Sequence, residues 1–384
     1  MIRTREKAAV VTGMGVVTPL SNNLERLWLH LLAGDTAVRH WDDLAAEGYR
    51  IPLAARVEGF GGDDAFRGSR LAVAAARQAV AHAGLQPMGT LAVLVGTTMG
   101  ESAAFEGAAA GVTTDLTQAS AQSFPRAIQQ ALGTTGPLRA YATACAAGNY
   151  AIGAAAQMVS SGQVDYALAG GVEPFSRIAL AGFSRSRAMS GELCRPFDRR
   201  RMGMQLGEAA GFLLLERQQD ALARGAPILA AIGALGLSCD AYHPTAPTPD
   251  GSGMARAMEL AIRHADLSPQ DIHWICAHGS GTRASDAAEA QAIQRVFGEH
   301  RPPVSAIKGA LGHSMGAATA VEAVVTILAL RHRCLPPTTH LCEPDPDCPL
   351  DMVVTARQPE RITHVLNCGY GFGGLNSALL LEAR

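Results

Sequence analysis

Short apolar runs closed by glycine alternate along this chain with longer stretches whose apolar residues recur at helical spacing. AAVVTGMGVVTPL (residues 8–20) and PILAAIGALGLSCDAY (residues 227–242) each read as a strand followed by a glycine-punctuated loop. Behind the first come SRLAVAAARQAVAHAGL, LAVLVGTTMG and VDYALAGGVEP. Behind the second come GMARAMELAIRHADL, DIHWICAHGSGT and THVLNCGYGFGGLNSALLLE. Strands and helices in alternation predict a layered α/β architecture. The similar order of the two series predicts an internal duplication, with halves 1–225 and 226–384 joined near the polar helix ERQQDALARGAP. Residues 100–123, rich in small side chains, predict a long loop of the kind used for lids, binding loops or interfaces.

Composition narrows the class. The chain has 384 residues, 48% hydrophobic and 17% charged, enough for two lobes around a sizeable core. A formal net charge of -2 provides no basic field for nucleic acid or a membrane surface. The start, MIRTREKAAV, is too charged for a secretory signal, and no apolar run approaches the roughly 20 residues that span a bilayer. These features predict a soluble, cytoplasmic protein. The eight cysteines include no CxxC and form no disulfide framework. Cys342 and Cys348, in CEPDPDC, read as ordinary reduced thiols, and no metal site is expected.

Four segments carry candidate chemistry. YATACAAGNYAIGAAAQMVSSG (residues 141–162) places Cys145 at the start of an alanine-rich helix. There, free N–H groups and the helix dipole favour a thiolate, and the same amides could form half of an oxyanion hole. A small buried hydrophobe is the other reading of the same cysteine. In WICAHGSGTRASDAAEAQAI, His278 follows a strand at residues 272–277 and is flanked by glycine, where α/β proteins place ligand-facing groups. Asp286 and Glu289, three apart, read as local hydrogen-bonding groups of the next helix start. PVSAIKGALGHSMGAATAVEAVV carries Lys308, His313 and Glu322. An apolar setting rarely hosts an unpaired carboxylate, so Lys308 and Glu322 are expected to pair. LNCGYGFGGLNSALLLE sets Phe372 in a turn where Gly371 and Gly373 allow close backbone approach to a ligand.

The ordered set VVTGMGVVTPL, TACAAGNYAIG, VDYALAGGVEP, RPFDRRRMGMQLGEAAG, DAYHPTAP, AHGSGTRASDAAEAQAI, KGALGHSMGAATAVEA and GYGFGGLNSALL resembles the β-ketoacyl-acyl carrier protein synthases. The resemblance is to the elongating ketosynthase branch of the thiolase-fold condensing enzymes and spans nearly the whole chain. It implies a layered α-β-α-β-α thiolase-like fold. By the same resemblance Cys145 is the acylated nucleophile. His278 and His313 bind the extender thioester carbonyl and assist decarboxylation, with Lys308 beside them and Glu322 in the same network. Phe372 is the gate, whose N–H joins that of Cys145 in the oxyanion hole. Ser280 and Thr282 fall where the family contacts the carrier's phosphopantetheine arm.

The implied partner is an acyl carrier protein, acidic in this family, met by Arg187 and more weakly by Arg185 and Arg126. A homodimer is expected, with VDYALAGG and its neighbours at the interface, and a heterodimer with a second ketosynthase-like subunit is the alternative. No metal or redox cofactor is implied, since the substrates ride on phosphopantetheine. The chain departs from the family pattern at HGSGT, at GAATA, and at Met204, Tyr150 and Cys368. The last three are read as reshaping the acyl pocket, which favours a specialised type II polyketide or polyene pathway over fatty acid elongation. Other readings are a non-catalytic chain-length-factor-type subunit, an initiating synthase or decarboxylase, and a thiolase using Cys368 as a second cysteine.

Overall fold

The computed structural model describes residues 8–60, 66–85, 90–112, 116 and 119–384. Parts of the N-terminal segment and of the 100–123 segment read above lie outside the described residues.

Thirteen strands are described. They are β1 (Ala9–Val17), β2 (Arg39–His40), β3 (Leu53–Ala55), β4 (Leu91–Gly96), β5 (Leu138–Tyr141), β6 (Tyr166–Glu173) and β7 (Leu206–Gly207), then β8 (Ala209–Arg217), β9 (Ala230–Cys239), β10 (Trp274–Cys276), β11 (Val304–Ser305), β12 (His364–Gly371) and β13 (Leu375–Glu382). Ten form one sheet in the order β11-β10-β12-β13-β9-β1-β8-β6-β4-β5, and β2, β3 and β7 form a small second sheet.

The large sheet is two copies of one topology. Numbered within its own half, each five-strand set runs 3-2-4-5-1, with the two sets meeting at β1 and β9. Directions repeat as well. In each half the first strand is antiparallel to the fifth and the fifth to the fourth, while the second is parallel to the fourth and third. The seam is narrow: β1 and β9 share two residue pairs, Val10↔Ala231 and Val11↔Ala230.

What holds the halves together is buried helix. The helices Ala147–Ser160 and Ala318–His332 pack on each other and touch strands of both halves, forming the middle layer. The second is buried at every residue from Ala318 to Leu330, as its all-round apolar sequence requires. The stretch Met315–His332 has the length and hydropathy of a bilayer span, longer than the sequence reading allowed, but 89% of it is buried inside the fold and it serves as a core helix. Arg67–His82 and Ser123–Leu132 cover the outer face of the first half, and Ser252–His264, backed by Arg283–Phe297, that of the second. These layers constitute a thiolase-like α/β fold.

Two expectations are corrected. Within residues 100–123, Ser102–Ala109 is helical, since its alanines are strong helix formers. The VDYALAGG strand lies inside the sheet, between β4 and β8, buried from Ala167 onward; the sheet's free edges are β5 and β11. Its apolar run reflects burial on both faces.

Candidate active site

The two halves deliver chemistry from matching places. After β5 the chain makes a 3-10 turn, Ala144–Ala146, and enters the first central helix. In the second half, the turn Met315–Ala317 opens the other central helix. Each turn begins on a left-handed residue, Ala144 (φ 49°) and Met315 (φ 41°). Cys145 is the middle residue of the first turn, and His313 stands just before the second. His278 follows β10, and Phe372 follows β12.

Cys145, His278, His313, Ser280, Thr282, Met204, Arg187, Gly371 and Phe372 all line one cavity of about 420 Å³. Tyr150, Cys368, Glu322, Lys308, Gly373, Arg185 and Arg126 stand outside that lining. Of the three residues expected to reshape the acyl pocket, only Met204 reaches this cavity. Arg187, itself left-handed (φ 58°), is the expected carrier contact at its edge, whereas Arg126 lies on the helix that covers β4 and β5.

Cys145 is buried, and burial pushes its thiol up to about 12 despite the opposing pull of the Lys308 ammonium. The expectation of a resting thiolate at the helix start is therefore corrected. Desolvation of the charged form outweighs the helix amides here, and Cys145 rests as a thiol.

The histidines are held as neutral donors. Burial, reinforced by the nearby Lys308 charge, pushes both imidazoles well below their ordinary range. His313 Nδ1 accepts the Met315 N–H at 3.1 Å, and His278 Nδ1 accepts the Tyr370 N–H at 3.4 Å. An imidazole nitrogen that accepts carries no proton, so in both rings the proton sits on Nε2. The rings meet edge to face, with centroids 5.2 Å apart.

Lys308 and Glu322 form the expected buried pair, at 2.5 Å. Burial opposes the ammonium, but the Glu322 carboxylate more than offsets this and holds Lys308 above the ordinary lysine range. The lysine also donates to the His278 carbonyl oxygen. Glu322 is thus the counter-ion of Lys308, and neither residue lines the cavity.

That loop has a second support the sequence understated. Glu289 accepts the N–H groups of His278 and Gly279, both at 2.8 Å, and Asp286 accepts those of Phe197 (2.8 Å) and Gly281 (3.1 Å). Both carboxyls are fully buried, and burial pushes Glu289 up to about 8 and Asp286 to about 6. They fasten the loop ahead of the helix rather than cap the helix itself. Ser280 Oγ and Thr282 Oγ1 share a 2.9 Å hydrogen bond at its tip.

The gate approaches the nucleophile closely. A Cβ on Gly371 would lie 2.8 Å from the Ala144 Cβ and 3.1 Å from the Cys145 nitrogen, so only glycine lets these segments touch. Gly373 (φ +81°) shapes the turn instead of lining the cavity. The Phe372 ring, 41% exposed, lies 5.5 Å from that of Phe183 at the cavity wall. Behind Cys145, Asn367 Nδ2 donates to Asn149 Oδ1 at 3.0 Å, and Asn149 Nδ2 donates to the Asn367 main-chain carbonyl oxygen at 3.0 Å. Cys342 and Cys348 join no metal-binding cluster among the described residues.

A thiolase-like fold presenting a cysteine and two Nε2–H histidines to one cavity defines an acyl-transferring condensing enzyme. Comparison with known proteins gives the family. The Beta-ketoacyl synthase N-terminal domain matches residues 6–221 and its C-terminal domain residues 229–342. The chain is 35% identical to 3-oxoacyl-[acyl-carrier-protein] synthase 2 of Staphylococcus aureus (strain COL), covering 99% of both chains. Among solved structures it resembles the ishigamide ketosynthase/chain length factor (38% identity, TM-score 0.92, covering 98% of this chain and 99% of that one). It also resembles the complex AntDE:AntF, a type II PKS acyl-carrier protein with its ketosynthase bound to the hexaketide (27% identity, TM-score 0.91, 98% and 99% covered). The chain belongs to the β-ketoacyl synthase family, and its activity is that of a ketosynthase.

Proposed function

We propose that this chain catalyses decarboxylative Claisen condensation of a Cys145-bound acyl chain with a malonyl-acyl carrier protein, in type II fatty acid or specialised polyketide or polyene biosynthesis. One observation carries the reading: both histidines that share the cavity with Cys145 offer Nε2–H donors.

The sequence of events follows from these groups. The Cys145 sulfur attacks the thioester of an acyl-loaded carrier, its proton passes to the departing phosphopantetheine sulfur, and an acyl-enzyme results. A malonyl thioester then enters with its carbonyl oxygen between the two Nε2–H groups. Loss of CO₂ leaves the C–C electron pair as an enolate, whose oxygen those donors stabilise. The enolate carbon attacks the Cys145 thioester, and the oxyanion that forms is met by the N–H groups of Cys145 and Phe372. Collapse expels the Cys145 sulfur, which takes up a proton from water, the one proton the overall condensation consumes. Holding both partners in one cavity removes much of the entropic cost of a bimolecular step. No step calls for a metal or redox cofactor.

Arg187, which lines the cavity, suits an acidic carrier protein, and Ser280 and Thr282 on the same lining support a role toward its phosphopantetheine arm. The AntDE:AntF likeness supports that partner, and the ishigamide likeness supports pairing with a second ketosynthase-like subunit beside a homodimer. The testing experiment is intact-mass analysis after exposure to a panel of acyl-loaded carrier proteins, with peptide mapping of any adduct. Acylation at Cys145, lost in Cys145→Ala, is expected. His278→Ala and His313→Ala should still acylate but stop malonyl decarboxylation. Condensation retained by Cys145→Ala would overturn the assignment.

A further inference from the structure

The last strand residue of β6 is a glutamate that the reaction above does not use. Glu173 is fully buried, yet its carboxylate gathers four donors. Oε2 accepts the N–H of Thr98 at 2.7 Å and of Gly316 at 2.9 Å. Oε1 accepts the N–H of Met99 at 2.8 Å and the Thr97 hydroxyl at 3.2 Å. Three donors come from the loop after β4. The fourth, Gly316, belongs to the other half, in the turn just past His313.

Gly316 is the counterpart of the nucleophile. It is the middle residue of the 3-10 turn that opens its central helix, as Cys145 is in the first half. Glu173 ends β6 as Gly371 ends β12. Where the Cys145 turn of the first half opens on the cavity, the matching turn of the second half is bound by a carboxylate from the first. The fit admits no side chain at 316. A Cβ there would lie 2.4–2.5 Å from the backbone of Thr97 and Thr98.

We infer that Glu173 is a positioning residue for decarboxylation, acting through the turn that sets the His313 tautomer. By binding the Gly316 N–H it fixes the strained Met315–Ala317 turn against the loop after β4. That turn supplies the Met315 N–H which occupies His313 Nδ1 and leaves the proton on Nε2 of a ring that lines the cavity. A carboxamide cannot replace the carboxylate, because its NH₂ would face donors. The inference rests on the ketosynthase reading for its kinetic consequence but not for its structural one.

The test is Glu173→Gln in the full chain, with three readouts. These are CO₂ release from malonyl-carrier protein, intact-mass acylation of Cys145, and the ¹⁵N pattern of the His313 ring, assigned by comparison with His313→Ala. Decarboxylation is expected to fall about tenfold to a hundredfold, the scale of a small misplacement of a reacting group. Acylation should stay within about threefold of wild type, and the His313 pattern should move from the pure Nε2–H form toward a tautomer mixture. An unchanged His313 pattern, or an unchanged ratio of decarboxylation to acylation, overturns the inference. If wild type neither acylates nor decarboxylates, the ketosynthase reading falls, while the ring pattern still decides the positioning role. Should Glu173→Gln not fold, Thr97→Val removes one donor only. It should lower the same ratio a few-fold, and no change there is equally fatal.

Discussion

The thiol state of Cys145 gives the sharpest quantitative test. With burial holding it at about 12, the thiolate fraction at pH 8 is roughly 10⁻⁴, whereas an ordinary cysteine near 8.5 would be about one quarter ionised. Iodoacetamide alkylates only the thiolate. The rate at Cys145 should therefore climb tenfold per pH unit, a rise of about three hundredfold between pH 7 and 9.5, without a plateau. Intact-mass kinetics with peptide mapping isolates this site from the exposed Cys239 and Cys342, and Cys145→Ala supplies the background. A rate that levels off near pH 8 would refute the reasoning. It would mean that the helix amides overcome desolvation and that the enzyme stores a ready-made thiolate. The expected result places proton removal inside the acylation step itself.

Three further outcomes are expected. Lys308→Met leaves the Glu322 carboxylate buried without its ammonium and should cost about 3–5 kcal/mol of stability; urea denaturation checks this, and Lys308→Met with Glu322→Leu should recover most of it. Glu289, pushed up to about 8 from its ordinary 4.5, binds its proton more tightly in the folded state than in the unfolded one between those values. The stability this provides is complete below about 4.5 and lost as pH rises through about 8, so urea midpoints at pH 5 and 8.5 should differ less in Glu289→Gln than in wild type. An identical pH slope in the two proteins would contradict the assignment. Gly371→Ala drives a methyl into Ala144 and should slow Cys145 acylation by about 1–3 kcal/mol of barrier, the usual scale of overpacking; a wild-type rate would show that the gate does not need its contact with the nucleophile turn.

The chemistry was legible where a residue type is rare in its setting. Cys145 stands among alanines at a helix start, His278 and His313 stand beside glycine at element junctions, and Glu322 interrupts an apolar helix, so local sequence marked all four. What escaped were groups whose role depends on partners far along the chain. Glu173 closes a wholly apolar strand, a signal of the same kind as Glu322, but its fourth donor lies 143 residues away. Glu289 looked like a helix-start residue because the amides it binds are only ten and eleven positions back. The thiolate expectation failed for a related reason. A helix start can be read from sequence, but the water excluded by the second half of the protein cannot. Layer order was legible from alternation, while the position of β6 inside the sheet was not, because an apolar run looks alike at an interface and in a core.

The narrow seam between β1 and β9 bears on how such an enzyme could arise. Two residue pairs are too few to hold a pair of independent sheets in register, so the halves are cemented by the central helices instead. Those helices carry the nucleophile at the head of one and the His313 turn at the head of the other. An ancestral homodimer of one half would have possessed two equal clefts, each beneath the head of a central helix. Fusion freed the copies to diverge, one helix-head turn left open to the cavity at Cys145 and the other bound at Gly316 by Glu173. The asymmetry that makes a single condensing centre was reached by closing one of two doors.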